Sequence, residues 1–159
     1  MFNLTKSNSS GFTLIELLLV TSLIMILVAG AAPLLSTYFT STQLEETTSQ
    51  TKQIIQTAHQ RALAGVNDSD HGVYFEHNAS SNDRIILFQG SSYAARNPDY
   101  DYAVTLDTAL SYTSTLTNNT LVFTNRTGIP TTTGTVTISH ANNTFNILEL
   151  NELGVVVEN

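Results

Sequence analysis

The chain has 159 residues, no Cys and no Trp, and its 6 basic against 13 acidic side chains give a formal net charge of −7. The length fits one domain of ordinary size, and the lack of Cys excludes a disulfide framework, a thiolate metal site and a Cys nucleophile. The acidic balance argues against a nucleic-acid partner, which normally requires a basic patch.

The first predicted element is an apolar helix. Between Phe12 and Leu35, 18 of 24 residues are apolar, and no charged residue lies between Leu17 and Leu35. A membrane-spanning helix needs about 20 apolar residues, so we expect residues 12–35 to span a membrane. A secretory signal peptide is the alternative, because residues 29–32 resemble its small-residue cleavage site. Its apolar core is only about 7–15 residues long, however, and this run is longer.

One acidic side chain, Glu16, interrupts the start of the apolar run. A carboxylate in a membrane span is costly unless it is paired, so Glu16 is a functional candidate. It lies five residues after Gly11, within the sequence G-F-T-L-I-E-L. A short polar leader, this sequence and a long apolar helix together resemble the prepilin motif of the type IV pilin superfamily, which includes pilins and the pseudopilins of type II secretion.

The resemblance implies a role for each residue of the motif. Residues 1–11 would form a leader peptide, which a prepilin peptidase would remove by cleavage between Gly11 and Phe12. The new amino group of Phe12 would then be N-methylated. Glu16 would neutralise the Phe12 amine of a neighbouring subunit during assembly. Pro33 lies where these proteins usually carry a proline that kinks the helix, and a proline in a helix interior removes one backbone hydrogen bond.

The helical pattern continues beyond the apolar run, over residues 36–65. Apolar side chains recur there at spacings that suit one helical face, while charged side chains occupy the opposite face. The Thr-rich stretch at residues 47–51 contains poor helix formers, so we expect a distortion there. Gly65, followed by the polar residues 67–70, is a stop signal for the helix.

The remaining residues, 66–159, predict a β-rich globular domain. Short apolar or alternating runs separated by Asn- and Gly-containing turns are typical of antiparallel strands. The expected fold class is therefore α+β and pilin-like, with a long N-terminal helix packed on a sandwich-like antiparallel domain. A long polar loop is predicted at 90–103. The predicted strands are 72–75, 84–88, 109–115, 120–124, 134–139, 144–150 and 154–157.

Few residues suggest site chemistry in this domain. Asn97, Asp99 and Asp101 have the oxygen-ligand spacing of a calcium loop, but no Gly and distal Glu complete it, and a solvated turn is the alternative. The four His residues lack the spacing of a metal site, and neither a P-loop nor a G-x-S-x-G sequence is present. We therefore expect no enzymatic activity, no cofactor and no resident metal.

The element order of one long helix and about seven strands resembles the H-type minor pseudopilins and the related FimT-type minor pilins. This resemblance implies an assembly subunit of a type II secretion pseudopilus. Its partners would be other pseudopilins, the prepilin peptidase and methyltransferase, and an inner-membrane assembly platform. It would cross the bacterial inner membrane once, with the β-domain in the periplasm or exterior. The alternative is a minor pilin of a type IV pilus, acting in priming, adhesion or DNA uptake.

DNA uptake is the least favoured form of that alternative. Residues 141–159 contain no Lys or Arg and three Glu, so the C-terminal tail lacks a basic patch. The absence of Cys also disfavours a major pilin, because major pilins often close their C-terminal region with a disulfide.

Overall fold

A computed structural model describes residues 11–78 and 80–158, and within it the side chains of residues 31–34 and 36 lie outside the description. The leader predicted at residues 1–11 therefore falls, except for Gly11, outside the described residues. The chain divides into two compact units, Met1–Phe39 and Thr40–Asn159. One helix, α1, extends from Leu14 to Leu63 and contributes to both units.

The part of α1 in the first unit is apolar and exposed. Every large apolar side chain from Phe12 to Val28 is at least 45% exposed. Within the part of the chain that the structure describes, no helix combines the length and apolarity needed to cross a membrane.

The second unit contains two antiparallel sheets of four strands each. The first sheet has the order β3-β2-β1-β5 and the second the order β4-β6-β7-β8. Two 3-10 turns, Val66–Asp68 and Thr117–Asn119, precede β1 and β5. The strands are β1 His71–Glu76, β2 Arg84–Gln89, β3 Asn97–Thr105, β4 Leu110–Ser114, β5 Thr120–Phe123, β6 Gly134–His140, β7 Phe145–Leu150 and β8 Val156–Glu158.

The prediction of a long loop at residues 90–103 is wrong for its second half, because β3 occupies Asn97–Thr105 and pairs with β2. This strand lies at the edge of its sheet, and none of its residues is buried. A strand without a buried face shows no apolar alternation, and Pro98 is tolerated in it because an edge strand leaves some N–H groups unpaired. The sequence pattern that identifies the other strands is therefore missing here.

One core joins the helix to both sheets within the second unit. Ile55, Ala58 and Ala62 of α1 are at most 2% exposed and belong to the same apolar cluster as Phe75 of β1 and Ile138 of β6. The small Ala side chains let the helix approach the sheets closely. Of the apolar side chains predicted for one face of the helix, those from Ile54 to Ala62 contact the core, whereas Leu63 is exposed.

The Thr-rich stretch forms a buried polar seam instead of the predicted distortion, and α1 is continuous across it. Thr48 and Thr51 are fully buried, and each hydroxyl donates to the carbonyl four residues earlier, at 2.7 Å. The Thr51 hydroxyl also lies 3.2 Å from the Tyr112 hydroxyl, and the Asn146 amide donates to Thr48 Oγ1 at 3.1 Å. These bonds satisfy the buried hydroxyls and tie the helix to the second sheet.

The buried carboxylate of Asp83 links the two sheets. Asp83, which precedes β2, accepts hydrogen bonds from the Tyr112 N–H at 2.8 Å, the Asn78 N–H at 3.0 Å and the His77 ring at 3.0 Å. Burial alone would raise the pKa of Asp83, but these hydrogen bonds outweigh it and hold the pKa below its ordinary value. The charged form of Asp83 is thus part of the folded domain.

Candidate functional site

The candidate site lies at the start of α1, where Gly11, Phe12 and Thr13 precede the helix. The Glu16 N–H donates to Thr13 Oγ1 at 3.3 Å, and the Leu17 N–H donates to the Thr13 carbonyl at 3.2 Å. Thr13 is therefore the N-cap of the helix. The sequence Thr-x-x-Glu, here residues 13–16, is also the signature of a capping box at a helix N-terminus.

Glu16 consequently lies in the first turn of the helix. The helix macrodipole favours a negative charge at this end. Glu16 is exposed, and among the described residues no cationic group lies within ion-pair distance of it. The Glu16 carboxylate therefore belongs to the helix turn that follows residues 11–13.

Among the described residues, no neighbouring atom requires glycine at position 11. A Cβ added at Gly11 would meet no atom within 4 Å, and its φ lies outside the left-handed region. A side chain at this position would therefore not disturb the chain itself.

The other predicted site residues lie elsewhere. Pro33 falls within the bounds of α1, but its side chain is outside the described set, so the kink stays a prediction. Asn97, Asp99 and Asp101 lie on β3, not on a loop, and Asp101 accepts a 2.7 Å hydrogen bond from Arg96 Nε. Among the described residues, no group of three His, Cys, Asp or Glu side chains could hold a metal ion.

Comparison with known families identifies the terminal segment. The sequence model of the prokaryotic N-terminal methylation motif matches residues 6–32. The match supports a type IV pilin-like prepilin. It covers Gly11, Phe12 and Glu16 together with the exposed apolar half of α1. No curated protein and no solved structure is significantly similar to the chain.

The motif has two implications for the chain. It implies processing by a prepilin peptidase and assembly with other pilins. The long N-terminal helix followed by antiparallel sheets is consistent with the pilin-like fold, and the motif is consistent with a membrane-anchored subunit that enters a filament.

Proposed function

We propose that the chain is a minor pseudopilin, a structural subunit of a type II secretion pseudopilus, and not an enzyme. The observation that carries this proposal is the methylation motif on a helix whose apolar side chains are exposed. An apolar surface of this kind requires a bilayer or a partner protein to cover it. A pseudopilin meets both environments in succession.

The anchoring role follows from the first half of α1. Residues 12–35 would hold the subunit in the bacterial inner membrane before assembly, with the β-domain in the periplasm or exterior. An assembly platform in that membrane would then move the helix into the filament core. Neighbouring helices would cover the side chains that the single chain leaves exposed.

The assembly role rests on Glu16 and Phe12. Cleavage after Gly11 would create an amine at Phe12, next to the helix N-terminus. An ammonium and a carboxylate are each costly in a low-dielectric filament core and much less costly together. Glu16 would pair with the Phe12 amine of a neighbouring subunit, which also fixes the axial register of the two helices.

Processing is tested with Gly11→Asp, and Asn8→Asp is the matched control because it places the same charge three residues earlier in the leader. We expect the wild type and the control to yield a mature chain that begins at N-methylated Phe12. Gly11→Asp should keep its leader and its fold, because the added side chain meets no neighbour. A normal mature mass for Gly11→Asp would contradict the proposal.

The filament type is tested by crosslinking the processed subunit in its native cells. Crosslinks to pseudopilins, together with loss of protein secretion on deletion, would support the secretion role. Crosslinks only to type IV pilus subunits, with a loss of piliation, would identify a minor pilin instead.

A further inference from the structure

The outer face of the first sheet carries a cleft that the filament role does not use. Side chains alternate along β1 and β5, so that Val73, Phe75 and Leu121 enter the core while Tyr74 and Val122 face the other way. The segment after β2 folds over this outer face, where the Tyr93 ring stacks on the Tyr74 ring at 3.9 Å. The cleft beside this aromatic pair has a volume of about 450 Å³.

Tyr74 and Tyr93 form an aromatic wall of the cleft, and a residue outside the cleft holds this wall in place. The Arg96 guanidinium lies 3.8 Å from the centre of the Tyr93 ring and donates to the Tyr93 carbonyl at 2.8 Å. Arg96 is fixed in turn by Asp101 at 2.7 Å. A wall whose side chains are held before binding loses little conformational entropy when a ligand arrives.

The opposite wall offers uncommitted hydrogen-bonding groups. The 3-10 turn before β5 is fixed by the Asn119 side chain, which accepts from the Ser114 hydroxyl at 2.8 Å, and by the Thr120 hydroxyl, which donates to the Asn118 carbonyl at 2.9 Å. Within the described residues, four side chains that line the cleft make no hydrogen bond of their own: Ser91, Thr117, Asn118 and Thr131.

The cleft is also uncharged, although the chain carries a net charge of −7. None of the described residues that line it is acidic or basic. By contrast, the groove of about 430 Å³ between α1 and β3 is lined by Arg61, Asp99 and Asp101. No charged side chain lines this cleft to pair with an anion or a cation, and its exposed hydroxyl and amide groups suit a ligand that can form hydrogen bonds.

We propose that this cleft binds a neutral saccharide. Sugar hydroxyls donate and accept hydrogen bonds as Ser, Thr and Asn side chains do, and the apolar face of a sugar ring can pack against the apolar surface that Tyr74 and Val122 contribute to the lining. The volume lies within the range of about 300–1,000 Å³ that is common for small-molecule sites. This binding activity is separate from filament assembly, because none of the cleft residues lies in the N-terminal motif.

The test uses the full chain in micelles of dodecylphosphocholine, a detergent without a sugar headgroup. Chitotriose, cellotriose and maltotriose serve as neutral probes and trigalacturonate as an anionic one, and binding is measured by saturation-transfer NMR. We expect transfer to at least one neutral trisaccharide. Transfer to none of the three, or stronger binding of trigalacturonate, would overturn the proposal.

A matched pair of variants locates the site. Asn118 has a φ of 54° and Asn143, outside the cleft, a φ of 68°, so glycine suits the backbone at both positions. Asn118→Gly should weaken saccharide binding about tenfold, because one or two hydrogen bonds are lost, while Asn143→Gly should leave it unchanged. Equal affinities for the two variants would overturn the assignment, and melting curves would verify that both fold.

Discussion

Replacing Glu16 by Gln separates the charge of this residue from its place in the helix. The bond that caps the helix joins Thr13 Oγ1 to the backbone N–H of residue 16 at 3.3 Å, so it survives the substitution. The variant loses only the attraction between a carboxylate and the helix N-terminus, which is worth about 0.3–1 kcal/mol at an exposed position. The unassembled subunit should therefore keep its fold and its processing.

The cost in the filament should be much larger. Two unit charges about 4 Å apart attract by about 4 kcal/mol at an effective dielectric constant of about 20. The variant would leave the Phe12 ammonium of the neighbour in the filament core without its partner. About 1.4 kcal/mol corresponds to a factor of ten in an equilibrium constant. We therefore expect incorporation of the variant into the filament to fall about 100-fold or more.

The assay compares the wild type, Glu16→Gln and Glu45→Gln in cells that produce the partner subunits. Glu45 is the matched control, since it is exposed on the same helix but outside the motif. Intact mass measures cleavage and methylation, and the sheared filament fraction measures incorporation. If Glu16→Gln entered filaments as efficiently as Glu45→Gln, the charge-pair mechanism would be refuted.

Three further predictions concern the β-domain, each measured by denaturant unfolding of the full chain. Asp83→Ala should lower the free energy of unfolding by about 2–4 kcal/mol, because it leaves the buried Tyr112 N–H unpaired, whereas exposed Asp99→Ala should have little effect. The pKa of Asp83 is lower in the folded state than in the unfolded state. Its contribution to the free energy of unfolding is therefore complete above the unfolded pKa of about 3.9 and is lost as the pH falls through the folded pKa. A difference in stability between the wild type and Asp83→Ala that did not shrink in acid would contradict this. Gly72→Ala should cost about 1–3 kcal/mol, because the new Cβ would lie 2.6 Å from the Leu121 carbonyl oxygen, while Gly30→Ala meets no atom within 4 Å and serves as the control.

Much of the fold could be predicted from the sequence because its signals are local. The end of α1 at Leu63 lies just before the predicted stop at Gly65, and seven of the eight strands coincide with predicted runs within a few residues. The distortion expected at Thr48 and Thr51 did not appear. Their low helix propensity is outweighed by hydrogen bonds to Tyr112 and Asn146, which only the tertiary fold supplies.

The N-terminal motif and the proposed cleft also differ in how close together their residues lie in the sequence. The terminal motif occupies consecutive residues, so Gly11, Phe12 and Glu16 can be recognised without a structure. The cleft is assembled from side chains far apart in the chain, including Tyr74, Tyr93, Asn118 and Thr131. Tyr93 also lies in a segment whose sequence indicates only a polar loop, and no local pattern reveals that its ring stacks on Tyr74.

The two halves of α1 differ in the burial of their apolar side chains, and this difference supports a role in assembly. From residue 44 onward the helix has one buried face, and the core of the β-domain begins at Leu44. Between Phe12 and Val28 the apolar side chains are exposed around the whole helix. A helix that is apolar all round is typical of a membrane span or of the core of a large protein. This pattern supports the proposed role, in which a bilayer and then a ring of identical or related helices would cover the first half.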